Sequence, residues 1–166
     1  MDIAIREARP DDAEAVVGIL NPIIEDGEYT VLDGPLSAED ERRFISSFPP
    51  RGIFHVAQSR PNGQVVGLQT LEPFGAYTHA FDHVAVIATY VDLGCRRQGI
   101  GKRLFAATFE VGRQKGYEKV FTYVRGDNLA ALVAYAKCGF RIVGTAQRHA
   151  KCGGRYVDEI MIEKFL

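Results

Sequence analysis

Residues 90–103 read Y-V-D-L-G-C-R-R-Q-G-I-G-K-R and join the end of an apolar, strand-like run to the start of a helical pattern. At such a junction the first backbone N–H groups of the helix have no partner within the helix, and the helix dipole adds partial positive charge. Arg96, Arg97, Lys102 and Arg103 add full positive charges to the same short segment. We therefore expect an anion site here, and a pyrophosphate is the anion that this combination favours.

The spacing of the glycines separates three kinds of phosphate-binding turn. Gly99 and Gly101 begin like a dinucleotide-binding fingerprint, but Leu104 stands where a third Gly or an Ala belongs. Gly94 and Gly99 bracket four residues as in a P-loop, yet no Ser or Thr follows Lys102, which argues against nucleotide hydrolysis. What remains is an Arg-x-x-Gly-x-Gly turn, or a helix start that only needs flexible glycines.

The rest of the chain predicts alternating strands and helices. Expected strands cover residues 3–8, 53–58, 65–71, 84–93, 119–124, 140–145 and 157–166, the last two joined by the turn K-C-G-G-R. Expected helices cover residues 10–25, 37–48 and 99–116, and a fourth runs from a cap at Asp127 or Asn128 to Gly139. The strands around the hairpin signal Asn62-Gly63 should be antiparallel, and those flanking the third helix parallel. The expected fold is α/β: one domain, residues 1–166, with a mixed and mostly antiparallel central sheet flanked by helices.

Composition limits the classes of function. The chain has 166 residues, 46% of them hydrophobic, which suffices for one domain with a sizeable core. The net charge of −1 implies neither a general nucleic-acid surface nor a membrane surface, so anion binding must be local. Cys95, Cys138 and Cys152 are odd in number and have no C-x-x-C spacing, which argues against a disulfide framework or a zinc site. The N-terminal stretch has no long apolar run, and a cytoplasmic location is expected.

Two motifs resemble the GNAT superfamily of N-acetyltransferases: the turn R-R-Q-G-I-G at residues 96–101 and N-L-A-A-L-V-A-Y-A-K-C-G-F at residues 128–140. The segments R-P-D-D-A-E-A-V and G-R-Y-V-D-E-I-M-I-E-K are similar to the family's first helix and closing strand, so the resemblance spans the chain. Within the superfamily, residues 20–37 are most similar to the phosphinothricin and related amino-acid acetyltransferases. The resemblance implies acetyl-CoA as cosubstrate and no metal, and a homodimer is compatible with family analogy.

The resemblance also implies roles for individual residues. The turn that would bind the CoA pyrophosphate comprises Arg96, Arg97, Gln98, Gly99, Ile100, Gly101 and Lys102. The residues that would contact pantetheine and the acetyl group are Tyr90, Val91, Asp92, Asn128 and Tyr135. The backbone N–H of Val91 or Asp92 is the candidate oxyanion donor, and Tyr135 is the candidate general acid. The expected reaction is acetyl transfer to the primary amine of a small molecule, an amino acid or an analogue, by direct attack.

The acceptor site and the general base are least explicit. Relatives often carry a Glu on the central strand, but here no acidic residue precedes Asp92 on it. The candidate substrate-binding residues are Glu28, Tyr29, Glu72 and Phe74. A base would come from a water or from a nearby group such as Glu72, Asp82, His79 or His83, and the two histidines have no third metal ligand. Two alternatives stay open: an acetyltransferase acting on a protein N-terminus or lysine, and a non-catalytic acyl-CoA-binding module.

Overall fold

One seven-stranded sheet organises the chain in the computed structural model, which describes residues 2–166. The strands are β1 (Ile3–Glu7), β2 (Ile53–Ser59), β3 (Val65–Pro73), β4 (Val84–Val91), β5 (Lys119–Arg125), β6 (Arg141–Cys152) and β7 (Arg155–Phe165). They lie in the order β1-β2-β3-β4-β5-β7-β6, and every neighbouring pair is antiparallel except β4 and β5, which are parallel. The predicted α/β fold with a mixed, mostly antiparallel sheet is confirmed.

The four helices begin and end at residues whose local chemistry the sequence displays. They are α1 (Ala13–Asp26), α2 (Ala38–Ser46), α3 (Ile100–Gln114) and α4 (Leu129–Lys137). Gly27 ends α1 in the left-handed conformation, with φ of 76°. The Ser37 side chain accepts a hydrogen bond from Asp40 N–H and caps α2, and Asn128 caps α4 in the same way. Within residues 2–166, no helix has the length and apolar character needed to cross a membrane.

The helices cover the two faces of the sheet in pairs. The core between the sheet and the pair α1 and α2 is built from Val16, Leu20, Ile23, Ile45, Phe54, Val56 and Leu68. The core between the sheet and the pair α3 and α4 is built from Leu71, Ile87, Phe105, Phe109, Val120, Tyr135, Phe140 and Ile162. Burial of these side chains removes apolar surface from water on both faces, so the strands of the middle of the sheet are held rigidly.

The last two strands are longer than predicted, and their expected bounds are wrong. β6 continues to Cys152, so the connection to β7 is only Gly153-Gly154, whose φ angles are 54° and 79°. Register shifts between Ile142 and Gly144 and between Ala146 and Ala150 interrupt the alternation by which a strand is recognised in sequence. His149 therefore lies within a strand and not in a loop.

Strands β4 and β5 pair only at their beginnings. The paired residues are Val84 to Val86 on β4 and Lys119 to Phe121 on β5, and beyond them the two strands separate. In an antiparallel pair, alternate residues direct their N–H and C=O groups toward the partner strand. Asp92 N–H donates to Val66 C=O of the neighbouring strand at 3.0 Å, so the backbone groups of Val91 and Thr89 point the other way, into the gap. The sheet thus opens at its centre and presents unused backbone groups there.

Candidate active site

A cleft of about 920 Å³ lies between the start of α3, the end of β4 and one face of α4. The predicted site residues that line it are Tyr29, Tyr90, Val91, Arg96, Arg97, Gly99, Ile100, Gly101, Lys102, Asn128 and Tyr135. Asp92 and Gln98 belong to the same connection but do not line the cleft. The two sequence motifs, which are 27 residues apart between Gly101 and Asn128, therefore meet at one site.

The start of α3 presents backbone donors to this cleft. Gly99 is the N-cap residue, and the N–H of Arg103 donates to its carbonyl at 3.2 Å. That bond leaves the N–H groups of Ile100, Gly101 and Lys102 without acceptors in the helix, as at any helix N-terminus. Together with the helix dipole, three converging donors make a site for an anion.

Two backbone features support an anion at this turn. Arg97 has φ of 61°, a conformation that L-residues rarely adopt, and Gly99 follows with φ of 78°. A Cβ placed on Gly101 would meet no atom within 4 Å apart from its chain neighbours and the backbone of its own helix, so packing does not require glycine there. The lack of a side chain at residue 101 leaves open space next to the free N–H groups. The residues present therefore fit the pyrophosphate of a CoA molecule.

Arg96 connects the turn to the loop that follows α1. Its guanidinium lies over the Tyr29 ring, 3.9 Å from the ring centre. Tyr29 in turn lines the cleft, and its carbonyl accepts a hydrogen bond from the Asn128 side chain at 3.3 Å. The loop after α1 is thereby fixed between the two motifs of the donor site.

Asp92 shapes the connection between β4 and α3. Its carboxylate accepts a hydrogen bond from Gly94 N–H at 2.8 Å, and its own N–H is engaged by Val66. Of the two candidate oxyanion donors, Asp92 is therefore occupied, whereas the N–H of Val91 faces the gap between β4 and β5. Val91 is the one that stays available for an oxyanion.

Tyr135 lies at the bottom of the cleft. Its side chain is 8% exposed and packs edge-on against Phe105 and Phe140, with ring centres 5.3 and 5.0 Å away. The phenol donates a hydrogen bond to Thr89 Oγ1 at 3.3 Å. Burial raises the pKa of Tyr135 far above that of a free tyrosine, because the phenolate would lose its hydration. The phenol therefore keeps its proton at neutral pH, as a general acid must.

A smaller cavity of about 160 Å³ occupies the gap between β4 and β5. It is lined by Tyr29, Thr30, Thr89, Tyr90, Thr122, Tyr123, Arg125, Asn128, Tyr135 and Glu159, among others. Several of these residues, including Thr89 and Tyr135, also line the large cleft, so the two spaces adjoin around these side chains. The sequence patterns did not identify this second cavity.

Arg125 lines the small cavity and holds the neighbouring loop in place. One of its terminal nitrogens donates to the carbonyls of Gly27 and Thr30, at 2.6 and 3.0 Å. The rest of its guanidinium holds the Asp127 carboxylate at 2.9 and 2.7 Å, and this pairing lowers the pKa of Asp127. The positive charge is therefore neutralised by a fixed partner, and Arg125 ties the loop after α1 to β5.

Glu159 is the acidic group of the small cavity, and no sequence motif pointed to it. It lies on β7 opposite Arg125 and forms no ion pair within residues 2–166. Tyr123, from the same face of the sheet, adds an aromatic wall and stacks on His149, with ring centres 5.5 Å apart. A carboxylate beside aromatic rings suits a cationic or amine group.

The predicted substrate-binding residues lie in different places. Tyr29 lines both cavities, whereas Glu28, Glu72 and Phe74 line neither. Glu72 is half-buried on β3 opposite Val86, where the pairing of β4 and β5 ends, and burial raises its pKa. Phe74 packs against aromatic rings next to it and does not point into the site.

Neither Cys95 nor His79 is arranged for nucleophilic or metal chemistry. Burial and the nearby Asp92 carboxylate raise the pKa of Cys95, which disfavours the reactive thiolate. His79 makes a hydrogen bond to Asp82 at 2.9 Å and is exposed. In the described part of the chain, no three His, Cys, Asp or Glu side chains come together in a way that could hold a metal ion.

Comparisons with known proteins agree with this geometry. The model of the Acetyltransferase (GNAT) family matches residues 22–140. A phosphinothricin N-acetyltransferase of Streptomyces coelicolor is 24% identical over 165 residues, which cover 98% of this chain and 96% of that protein.

Two solved structures have the same fold. A ribosomal-protein-alanine N-acetyltransferase from Brucella melitensis, 25% identical, has a TM-score of 0.89 over 98% of this chain and 99% of that one. A phosphinothricin acetyltransferase from Sinorhizobium meliloti, solved in complex with AcCoA, has a TM-score of 0.91 at 20% identity over 100% of this chain and 89% of that one. The family match and the Streptomyces coelicolor relative confirm the predicted enzyme class, an N-acetyltransferase with acetyl-CoA as the donor. The chain belongs to the GNAT family of acetyltransferases.

Proposed function

We propose that this acetyltransferase acetylates the primary amine of a small molecule, an amino acid or an amino-acid analogue, by direct attack on acetyl-CoA. One observation carries the proposal: a large cleft with a basic helix N-terminus and a small cavity with a carboxylate adjoin at Tyr135 and Thr89. The large cleft suits acetyl-CoA, the donor, and the small cavity suits an amine. The small volume, about 160 Å³, favours an acceptor of amino-acid size over an extended peptide.

The donor side is assigned to the turn between β4 and α3. The N–H groups at the start of α3, with Arg96, Arg97 and Lys102, would hold the pyrophosphate. Acetyl-CoA supplies a thioester carbonyl that is activated toward attack by an amine. The N–H of Val91 is placed to stabilise negative charge on an oxygen in the gap, because it is fixed in a strand and has no strand partner on that side. Tyr135 holds the proton that a leaving thiolate needs.

The acceptor side is assigned to the gap between β4 and β5. Glu159 would attract the ammonium form of the acceptor, with Tyr29 and Tyr123 as aromatic walls. The attacking amine must be neutral, so a proton has to leave before attack. Glu72 stays a candidate for that step through a water, because burial raises its pKa and so makes it a stronger base, and Glu28 stays a candidate for ammonium binding.

The named relative supports the choice of acceptor. The Streptomyces coelicolor protein, which aligns over nearly the whole length of both chains, is called a phosphinothricin N-acetyltransferase, and phosphinothricin is an amino-acid analogue. The Brucella melitensis protein is named for a ribosomal-protein alanine, which keeps a protein N-terminus as the second candidate acceptor.

An acceptor screen tests the proposal. Release of CoA from acetyl-CoA is measured with phosphinothricin, free amino acids, polyamines, peptides with a free N-terminus and peptides with an internal lysine. We expect turnover with amino-acid-sized amines and little with peptides. Turnover only with peptides would move the function to a protein acceptor. Tight acetyl-CoA binding with no turnover anywhere would identify a non-catalytic binding module.

Three further properties are proposed on more general grounds. We infer one domain over residues 1–166, since a single sheet runs from β1 to β7. We infer a homodimer through the β6–β7 hairpin, because large apolar side chains exposed together mark interaction surfaces. The exposed fractions there are 66% for Ile142, 52% for Val143 and 55% for Tyr156. Light scattering would measure the mass of the dimer. A cytoplasmic location is supported by three free thiols, and cell fractionation would test it.

A further inference from the structure

Tyr135 is linked to a glutamine that lies wholly inside the protein. Gln69, on β3, has an exposed fraction of 0%, and its Nε2 donates to Thr89 Oγ1 at 2.8 Å. The Tyr135 hydroxyl donates to the same oxygen at 3.3 Å. Side chains from β3, β4 and α4 thus form one hydrogen-bonded chain that ends at the point where the two cavities adjoin.

Stability alone does not explain Gln69. Its Oε1 is buried and has no hydrogen-bond partner among residues 2–166, which costs folding free energy. Leu71, two residues along β3, faces the same side of the sheet and belongs to its apolar core, so an apolar side chain is the ordinary occupant of this face. A partly unsatisfied amide in such a place indicates a role for its other end, the Nε2 that contacts Thr89.

The hydrogen bonds of Thr89 define that role. A hydroxyl offers one proton and two lone pairs, and here both lone pairs accept, one from Gln69 and one from Tyr135. The proton of Thr89 must therefore point away from both donors. Once Tyr135 has given up its proton, the Thr89 hydroxyl can turn and donate to the phenolate oxygen while it still accepts from Gln69. An N–H donor on a hydroxyl oxygen strengthens the hydroxyl as a donor.

We propose that Gln69 is a positioning residue for proton transfer by Tyr135 and that it acts through the hydroxyl of Thr89. This inference rests on the proposed role of Tyr135 as general acid. In the transfer, the C–S bond of the thioester breaks as the C–N bond to the acceptor forms, and the proton of the Tyr135 O–H moves to the departing sulfur as an S–H bond. The acceptor nitrogen loses a proton to solvent, and the phenolate later regains one from solvent. Gln69 neither gains nor loses a proton, and its amide holds the Thr89 oxygen in place throughout.

The surroundings of Gln69 decide which variants are informative. Titratable side chains on the same face are His55, directly across on β2, Glu7, beyond it on β1, and Tyr135 on α4. Tyr117 and the Cys138 thiol belong to the same core. His55 is held by Thr108 of α3, with Nδ1 and Oγ1 2.9 Å apart, and burial lowers its pKa, so it stays neutral near pH 7. Thr108 is as buried as Gln69, and its side chain bonds to His55 and not to Tyr135, which makes Thr108→Val a matched control.

The first measurement needs no substrate. The protein is labelled with ¹³C at the tyrosine Cζ, and the Tyr135 resonance is identified by its loss in Tyr135→Phe. We expect Gln69→Leu and Thr89→Val to shift this resonance in the free protein and Thr108→Val to leave it in place. An unchanged Tyr135 resonance in a folded Gln69→Leu protein would overturn the inference.

The second measurement is kinetic. Gln69→Leu should lower kcat about 3- to 10-fold, the value of one hydrogen bond, with the KM for acetyl-CoA within about 2-fold of the parent. Gln69→Glu should restore activity at low pH, where a protonated carboxyl donates to Thr89, and lose it as the pH rises and the carboxyl ionises. A Gln69→Glu protein with the pH profile of the parent would overturn the inference.

A double-mutant cycle separates this inference from the proposed function. If Gln69 acts through Tyr135, Gln69→Leu costs no further activity in the Tyr135→Phe background. If Tyr135→Phe slows the reaction and Gln69→Leu slows it further by the same factor as in the parent, only the present inference fails. If Tyr135→Phe is fully active, the general-acid role fails, and the inference fails with it.

Discussion

Substitution of Gly101 by Asp separates anion binding from folding at the start of α3. Gly101 is the second residue of the helix, and apart from its chain neighbours and the backbone of that helix no atom lies within 4 Å of the place where a Cβ would stand. The new carboxylate would enter the cleft beside the free N–H groups. In the helix itself, a negative charge near the N-terminus gains about 0.3–1 kcal/mol.

The expected loss of affinity follows from Coulomb's law. Two unit charges about 4 Å apart repel by about 4 kcal/mol near a protein surface, and solvent screening in an open cleft reduces this to about 2 kcal/mol. The dissociation constant of CoA should therefore rise by about 30-fold or more. The melting temperature of the free protein should stay the same or rise by about 2–4 °C.

Isothermal titration calorimetry with CoA, at low and at high salt, measures this effect, and thermal unfolding of the free protein checks the fold. Gly101→Asn is the matched control, since it adds the same volume without the charge. The difference between the two variants should shrink as salt is added. If Gly101→Asp bound CoA within about 3-fold of Gly101→Asn, the pyrophosphate would not lie at the start of α3.

Three further predictions concern the reaction and the fold. Tyr135→Phe should lower kcat about 10²-fold with little change in CoA affinity, and full activity of this variant in stopped-time CoA-release assays would exclude Tyr135 as the acid. In the parent enzyme, the raised pKa of Tyr135 predicts no loss of activity from its ionisation below about pH 10. Glu159→Gln should raise the KM for the acceptor about 10-fold and leave the KM for acetyl-CoA unchanged. The control Glu110→Gln, on the outer face of α3, should change neither KM. If Glu159→Gln and the parent had the same KM for the acceptor, Glu159 would not belong to the acceptor site. Lys119 and Arg141 flank the buried Glu163 and lower its pKa. The ionised Glu163 therefore stabilises the fold above the ordinary glutamate pKa of about 4.3, and this contribution is lost as the pH falls through the lower, folded-state value. Glu163→Gln should weaken the acid dependence of the melting temperature, and an unchanged dependence would contradict this assignment.

The features that could be predicted from sequence are those carried by neighbouring residues. The caps Ser37 and Asn128 act on N–H groups within three residues, and the donors at the start of α3 belong to a contiguous turn. Their chemistry is local, so the pattern of residues determines their structure. The parallel pairing of β4 and β5 followed from the handedness and length of a strand–helix–strand unit.

The features that escaped prediction depend on register between distant strands. Glu159 reaches the small cavity because it pairs with Arg125, and Gln69 meets Thr89 because β3 and β4 align at those residues. A shift of one residue would turn either side chain to the other face, and no local pattern fixes that choice. The same limit explains the misjudged end of β6, where bulges break the alternation, and the positions of Glu72 and Phe74 outside both cavities.

The most direct test of the central claim is mass spectrometry of the products formed from acetyl-CoA and a mixture of phosphinothricin, amino acids and short peptides. The structure predicts that N-acetylated products of amino-acid size appear in step with free CoA, and that Tyr135→Phe forms them about 10²-fold more slowly. Acetylation confined to the peptides, or CoA release without any acetylated amine, would contradict the proposed acceptor site between β4 and β5.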